Sequence, residues 1–460
     1  MPTAPAPTRA AVALLLLAAI ACGDEPSAPR VPLSQSAAAT GTGSLAAQVR
    51  LLAASRGVGP LPAPPRVRPA LSRLGQMLAF DPILSGNRDI ACMTCHHPTL
   101  ATADGLSLSI GQGGSGLGAT RVHPTGAFIP RNAPAAFNLQ ALKTLFWDGR
   151  VEGDAAHGFR TPAGAALTPA MNAVFEFGAL SAQPMFPVLS RSEMRGDVGS
   201  PNELAAIDDA DPQAIWAALM ARLGKIPEYR TMFEAAYPGT RFPQMTFAHA
   251  SNAIAGFLLD RLSFAHSPWD HFLAGDDDAL TQQQLEGARD FMSLKCSICH
   301  GGTAFTDNEF HNVAVAQIGP GEGDGTGGAD DFGRFRVTGR ARDKYAFRTP
   351  PLRNVELTAP YGHDGSIVSL RDFIAHYSES DIKLHAYDPA QLDPRLRATL
   401  QANADAILAT RDTLLNGVVL SDSLVDRLTA YMTALTDPAA RHLDGLIPGR
   451  VPSGLPVPRR

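Results

Sequence analysis

The pentapeptide CxxCH occurs twice, as Cys92-Met93-Thr94-Cys95-His96 and as Cys296-Ser297-Ile298-Cys299-His300. At this spacing two thiols can form thioethers to the vinyl groups of a haem while the adjacent histidine reaches its iron. A zinc site would want four Cys/His ligands converging at finger-like spacings, and a thiol–disulfide pair has no need of the histidine. Repetition of the whole pentapeptide favours two covalently attached c-type haems, and with them a redox role. The two motifs use every cysteine except Cys22.

The N-terminus fits that chemistry, because c-type haem is attached outside the cytoplasm. Arg9 precedes an apolar run over 10–21, followed by a polar, Pro-rich stretch over 23–35, a pattern expected of a cleavable export signal too short to span a bilayer. Ala19-Ile20-Ala21-Cys22 resembles a bacterial lipobox, with alanine in place of the usual leucine. The expected location is the periplasm, with Cys22 as a lipid anchor; ordinary secretion with Cys22 in the discarded leader is the alternative. No later apolar run approaches the ~20 residues of a membrane helix. A net charge of −5 gives no reason to expect nucleic-acid binding.

At 460 residues the chain can hold more than one core. The expected division is a signal segment over 1–22, a tether over 23–68 rich in Ala, Pro, Ser and Gly, a first domain over 69–275, a second over 276–440 and a tail over 441–460. Helical patterning marks 71–80, broken by Asp81-Pro82, then 214–223, 247–262 and 420–435. Thr281 followed by Gln284 is a capping-box signal opening a helix over 285–294, just before the second CxxCH. The nearly continuous Gly and acidic stretch 319–328 reads as a flexible connecting loop. Strand-like alternation is scarce, so the class is mainly α.

Further blocks occur in a fixed order: Leu74 to Ser85, Phe146-Trp147-Asp148-Gly149-Arg150, Glu193-Met194, Phe347 to Asn354, and Pro360-Tyr361-Gly362-His363-Asp364-Gly365. In content and order they resemble the bacterial di-haem cytochrome c peroxidase and MauG family over residues 70–440. The resemblance implies two cytochrome c-like domains, each with one haem, the haems facing the domain interface.

Two positions depart from the conventional peroxidases of that family. Where they carry a removable distal histidine, this chain has Gln112 in Ser109-Ile110-Gly111-Gln112, which implies that the His96 haem is already open to peroxide. His123 is an alternative sixth ligand, and Gln112 an alternative hydrogen-bonding group in the pocket. Where they place methionine on the second haem, the alignment reaches Tyr377, as in MauG, with His376 as the competing ligand. The resemblance also assigns Glu193 as the acid–base group, with Gln183 and Pro187 at the family's spacing before it. It makes Trp147 the relay between the haems, and Asn132 a calcium ligand beside the carbonyls of Thr358 and Pro360. The segment 150–182 is an insertion.

These matches imply reaction of hydrogen peroxide at the His96 haem, with two oxidising equivalents held across both haems to oxidise a side chain, notably tryptophan, on a partner protein. Two other functions share the motifs. One is peroxide reduction with a small cytochrome c or copper protein as donor; the other is non-catalytic electron transfer.

Overall fold

The computed structural model describes residues 43–459; the signal segment, Cys22 and residues 23–42 of the expected tether lie outside the described residues. The longer helices are α1 (Leu45–Ser55), α2 (Pro69–Phe80), α3 (Pro212–Gly224), α4 (Pro227–Ala236), α5 (Phe247–Arg261), α6 (Gln282–Ser293), α7 (Leu370–His376) and α8 (Asp422–Ala434). Strand is confined to short pieces, β1 (Thr144–Leu145), β2 (Val151–Asp154) and β3 (Gly158–Arg160) in one antiparallel sheet, and β4 (Phe310–His311) with β5 (Phe347–Arg348) in a two-stranded ribbon.

Residues Ser44–Arg460 cohere as one unit that holds two principal hydrophobic cores. The first gathers α2, α3, α4 and α5 around Leu74, Leu78, Trp216, Phe233 and Phe257. The second gathers α1, α6 and α8 around Trp269, Phe291, Phe305 and Tyr431. Each core is organised by a helix pair that meets at a glycine. A Cβ on Gly75 of α2 would lie 1.8 Å from the Ala253 carbonyl oxygen of α5, and one on Gly287 of α6 would lie 2.0 Å from that of Arg427 in α8. Only hydrogen at these positions lets the backbones approach so closely.

Local chemistry explains where the helices start and stop. Thr281 Oγ1 accepts from Gln284 N at 3.3 Å while Gln284 Oε1 accepts from Thr281 N at 2.9 Å, the reciprocal cap expected for α6. Helix α2 begins with Pro69 and stops at Asp81, whose buried carboxylate accepts from Ile83 N at 3.0 Å, the Tyr229 hydroxyl at 2.6 Å and the Ser453 hydroxyl at 2.6 Å.

Two expectations about the ends of the chain need correction. The stretch read as tether contains α1, whose Ala46, Val49 and Ala53 are buried against the second core. Their spacing is helical, but small alanine side chains conceal the apolar stripe. The 441–460 tail is likewise no free end: Leu443, Leu446 and Val451 are buried in the first core. Burial of such side chains stabilises by roughly 1.5–3 kcal/mol each.

Candidate active site

Each CxxCH folds into a single helical turn, Cys92–Cys95 and Cys296–Cys299, closed by His96 N to Cys92 O at 3.0 Å and His300 N to Cys296 O at 2.9 Å. Both histidines are oriented the same way. Nδ1 of His96 faces the Thr102 carbonyl at 3.2 Å, and Nδ1 of His300 the Phe305 carbonyl at 2.9 Å. A carbonyl on Nδ1 fixes the tautomer and leaves Nε2 as the lone-pair donor, the usual arrangement for a metal-binding imidazole. Thr102 and Phe305 both have φ near +60°, at 60° and 59°. Such a conformation is unusual for a β-branched or bulky residue and is kept where the surroundings over-determine it.

Both turns, with His96 and His300, line one cavity of about 1160 Å³, larger than ordinary ligand pockets. Burial pushes the Cys92 and Cys296 thiols up to about 11, away from the reactive thiolate of a disulfide-exchange pair. In the β4–β5 ribbon Arg348 is buried with only two long carbonyl contacts, Nε to Phe146 O at 3.4 Å and Nη1 to Thr349 O at 3.3 Å. Among the described residues no carboxylate pairs with it, and burial lowers its pKa to about 10. A haem brings two propionates, so an unpaired guanidinium in the cavity wall fits the group that the CxxCH turns are built to attach.

Trp147 lies in the turn between β1 and β2 and also lines the cavity. Its Nε1 donates to Asn132 O at 2.9 Å, and its carbonyl accepts from Arg348 N at 2.8 Å. Asn132 donates through Nδ2 to Leu106 O at 2.9 Å and Ser107 O at 3.3 Å, leaving Oδ1 as its remaining ligand atom. Thr358 and Pro360 line the same cavity.

Glu193 occupies the π-type turn Arg191–Arg195 and lines the cavity with Gln183 and Pro187. Its amide donates to Ser190 Oγ at 3.3 Å, and its carbonyl accepts from Gln112 N at 2.9 Å. Burial raises its carboxyl pKa, opposed by Arg150, Ser190 and Arg131. A carboxyl held nearer neutrality than usual is suited to taking and returning a proton.

Gln112 does not line this cavity, which corrects its expected placement among the reacting groups. Its Oε1 accepts from Asn87 N at 3.2 Å, and its backbone supports Glu193. The reason is Gly111, where a Cβ would lie 1.8 Å from Ser192 O. The segment is pressed backbone to backbone on the Glu193 turn, and the next side chain is directed away. His123 lies outside the cavity as well, with Nε2 on Gln112 O at 3.1 Å and Nδ1 near the Thr125 hydroxyl at 2.8 Å.

At the other end, Tyr377 follows the last turn of α7 and lines the cavity with Cys296, Cys299 and His300. Burial and the neighbouring Cys299 and Cys296 push its phenol pKa well up. His376 is turned away, its Nε2 engaged by Val313 O at 2.8 Å. His311 lines the wall between Asp307, at 3.0 Å, and Asp412. With Cys299 and Asp307 it forms the one His/Cys/carboxylate cluster of metal-binding geometry among the described residues, but Cys299 is also the second cysteine of a CxxCH motif.

The segment 150–182, expected to be an insertion, supplies β2 and β3 and places Arg160, Thr161 and Pro162 on the cavity wall. Sequence reasoning did not single out Arg348, His363 or Glu322, all of which line the cavity. The first two belong to blocks already recognised as motifs. Nothing in the sequence marked Glu322.

A family model described as di-haem cytochrome c peroxidase matches residues 69–278. The chain is 31% identical over 307 residues to cytochrome c551 peroxidase of Pseudomonas aeruginosa, covering 66% of this chain and 70% of that protein. It is 27% identical over 343 residues to the methylamine utilization protein MauG of Methylorubrum extorquens, covering 73% and 77%. Among solved structures, a MauG-like protein associated with microbial copper homeostasis superposes with a TM-score of 0.58 at 27% identity, covering 84% of this chain and 96% of that one. The diheme peroxidase BthA from Burkholderia thailandensis, at 21% identity, shares the fold with a TM-score of 0.57, covering 86% and 91%. With its two CxxCH turns opening on one cavity and its sequence aligned to these relatives, the chain belongs to the di-haem cytochrome c peroxidase and MauG family of oxidoreductases.

Proposed function

We propose that this chain reacts with hydrogen peroxide on the Cys92/Cys95/His96 side of its cavity and uses both haems to oxidise a side chain, notably tryptophan, on a partner protein. The observation that carries the reading is the pair at the end of α7. Tyr377 lines the cavity beside the second CxxCH, whereas His376 does not line it and has its Nε2 on the Val313 carbonyl. When bound, two c-type haems supply the iron and the storage of oxidising equivalents.

The protein's own groups divide the remaining work. His96 and His300 present Nε2 because their Nδ1 atoms are held by carbonyls. Glu193 takes a proton from one peroxide oxygen and returns it to the other. Arg348, which has only backbone carbonyl partners, would pair with the propionates that a haem brings, and the Trp147 indole would give an intermediate stop for electrons crossing the cavity. Tyr377 stays a neutral phenol in its buried setting unless a cation lies against its oxygen, since burial disfavours the phenolate. As a ligand it would be a hard anionic donor that favours oxidised over reduced iron. Asn132, with the carbonyls of Thr358 and Pro360, is the proposed calcium site. Export to the periplasm and a lipid anchor at Cys22 belong to the same reading.

A second reading is peroxide reduction with electrons from a small redox protein, which the similarity to cytochrome c551 peroxidase favours. Stopped-flow mixing of the fully oxidised protein with one equivalent of peroxide separates the two. Rapid consumption without pre-reduction is expected; a strict need for pre-reduction would sink the MauG-like reading in favour of the second. Tyr377→Phe should retain both covalent haems and lose the wild-type low-spin EPR signal. An identical spectrum would defeat Tyr377 as a ligand.

A further inference from the structure

The segment 319–328, expected to be a flexible connection, is pinned in place. Gly321 has φ +60°, and a Cβ there would lie 2.0 Å from Ala329 O. Arg336 donates to Glu322 O at 2.8 Å and to the Asp324 carboxylate at 2.7 Å. Glu322 N donates to Asp330 O at 2.9 Å, and the Asp330 carboxylate is held by the Tyr345 hydroxyl at 2.9 Å and Asn403 Nδ2 at 2.8 Å. These ties fix Glu322 in the wall of the cavity that contains Glu193.

Four carboxylates line that cavity: Asp148, Glu193, Glu322 and Asp412. Burial alone would raise Asp148, but Arg131 and Arg150 outweigh it and hold that carboxyl at about 2. Asp412 is held ionised by its hydrogen bond to His311. Neither exchanges protons near neutrality. Glu322 is held more loosely, 3.5 Å from Arg131 Nε and 3.7 Å from Arg336 Nη2, with 26% of its side chain exposed. Arg131 is already neutralised by Asp331, at 2.6 and 2.8 Å, and by Asp148 at 2.7 Å. Glu322 therefore has one side on solvent and shares the cavity wall with Glu193, whose proton affinity its negative charge raises.

We propose that Glu322 is a positioning residue of the peroxide chemistry, a proton carrier between bulk solvent and Glu193 contributed by the second half of the chain. The inference rests on the reading of Glu193 as the acid–base group. Glu193 only shuttles one proton between the two peroxide oxygens as their bond breaks. Full reduction, H2O2 + 2H+ + 2e− → 2H2O, takes two more protons from outside, together with two electrons from the donor or oxidised side chain. Glu322 delivers those protons, becoming ionised as each passes inward and reprotonated from water.

The test uses the di-haem protein bearing Glu322→Gln. Haem content and EPR should match wild type, while steady-state peroxide turnover at pH 7 falls roughly tenfold and its solvent isotope effect rises. Removing the Glu322 charge should also shift the Glu193 ionisation to lower pH. That shift is read both from the acid limb of the rate profile and from the pH titration of the oxidised absorption spectrum without peroxide. Arg131, Arg150 and Arg336 remain, so the direction is set by the lost anion alone. Glu322→Asp, which keeps the charge on a shorter arm, should restore the wild-type ionisation and part of the turnover. Unchanged turnover and ionisation in Glu322→Gln would overturn the proposal, as would loss of haem or an altered EPR spectrum, which would mark a structural role. If Glu193→Gln is also unimpaired, the Glu193 reading itself falls; if only Glu193→Gln is impaired, the relay alone falls.

Discussion

Replacing Glu193 by Gln should slow the reaction with peroxide by about 10²–10⁴-fold, the range supplied by a positioned general acid–base group. The amide keeps the shape of the turn, whose backbone is fixed by Ser190 Oγ and Gln112 N, and removes only the exchangeable proton. In wild type the rate should rise with pH through an ionisation above the ordinary 4.5, because burial raises this carboxyl and the base form is the active one. The variant should lose that limb. Stopped-flow rates between pH 4 and 8 would check both, and a variant with the wild-type pH profile would remove Glu193 from the chemistry.

Stability should move the other way. A carboxyl whose folded pKa is raised binds its proton more tightly folded than unfolded. Its contribution is present below the unfolded pKa and lost as pH rises through the folded one. Once ionised, Glu193 therefore costs stability that the neutral amide does not. The thermal midpoint of Glu193→Gln relative to wild type should rise from acid pH toward neutrality. A group kept at a cost to folding is consistent with one retained for its reactivity.

Features set by local chemistry were legible in the sequence. The CxxCH turns, the Thr281–Gln284 cap and the stop at Asp81-Pro82 follow from residues within a few positions of one another. What escaped depends on contacts between distant segments. Helix α1 looked like tether because alanine contributes little to an apolar pattern, although Ala46, Val49 and Ala53 share one buried face. Gln112 was aligned to a ligand position, but the close packing of Gly111 on Ser192 directs its side chain elsewhere. Glu322 was hidden by its glycines, read as freedom when Gly321 instead permits a tight approach to Ala329. Arg348 stood in a recognised block, yet its lack of a partner carboxylate emerges only when β5 is placed against Trp147.

Gly287→Val should be among the most destabilising single changes in the second core. The added Cβ would lie 2.0 Å from Arg427 O, 2.7 Å from Arg427 C and 3.0 Å from Tyr431 Cβ. Two of these are backbone atoms of α8 that no rotamer change can move, so α6 and α8 must separate. Overpacking of this kind costs about 3 kcal/mol or more, and at about 2–4 °C per kcal/mol for a larger domain the midpoint should fall by about 6–12 °C. The damage is not confined to packing, since α6 ends just before Cys296, and Phe291 and Tyr431 pack around Phe305, whose carbonyl orients His300. Separation of the pair should therefore loosen the second haem before the first, and the absorbance of that haem should change at a lower temperature than the circular dichroism of the whole chain. Gly445→Ala, where an added Cβ meets nothing within 4 Å, is the matched control and should melt with wild type. Equal melting of Gly287→Val and the control would mean that the α6–α8 crossing does not organise the second core.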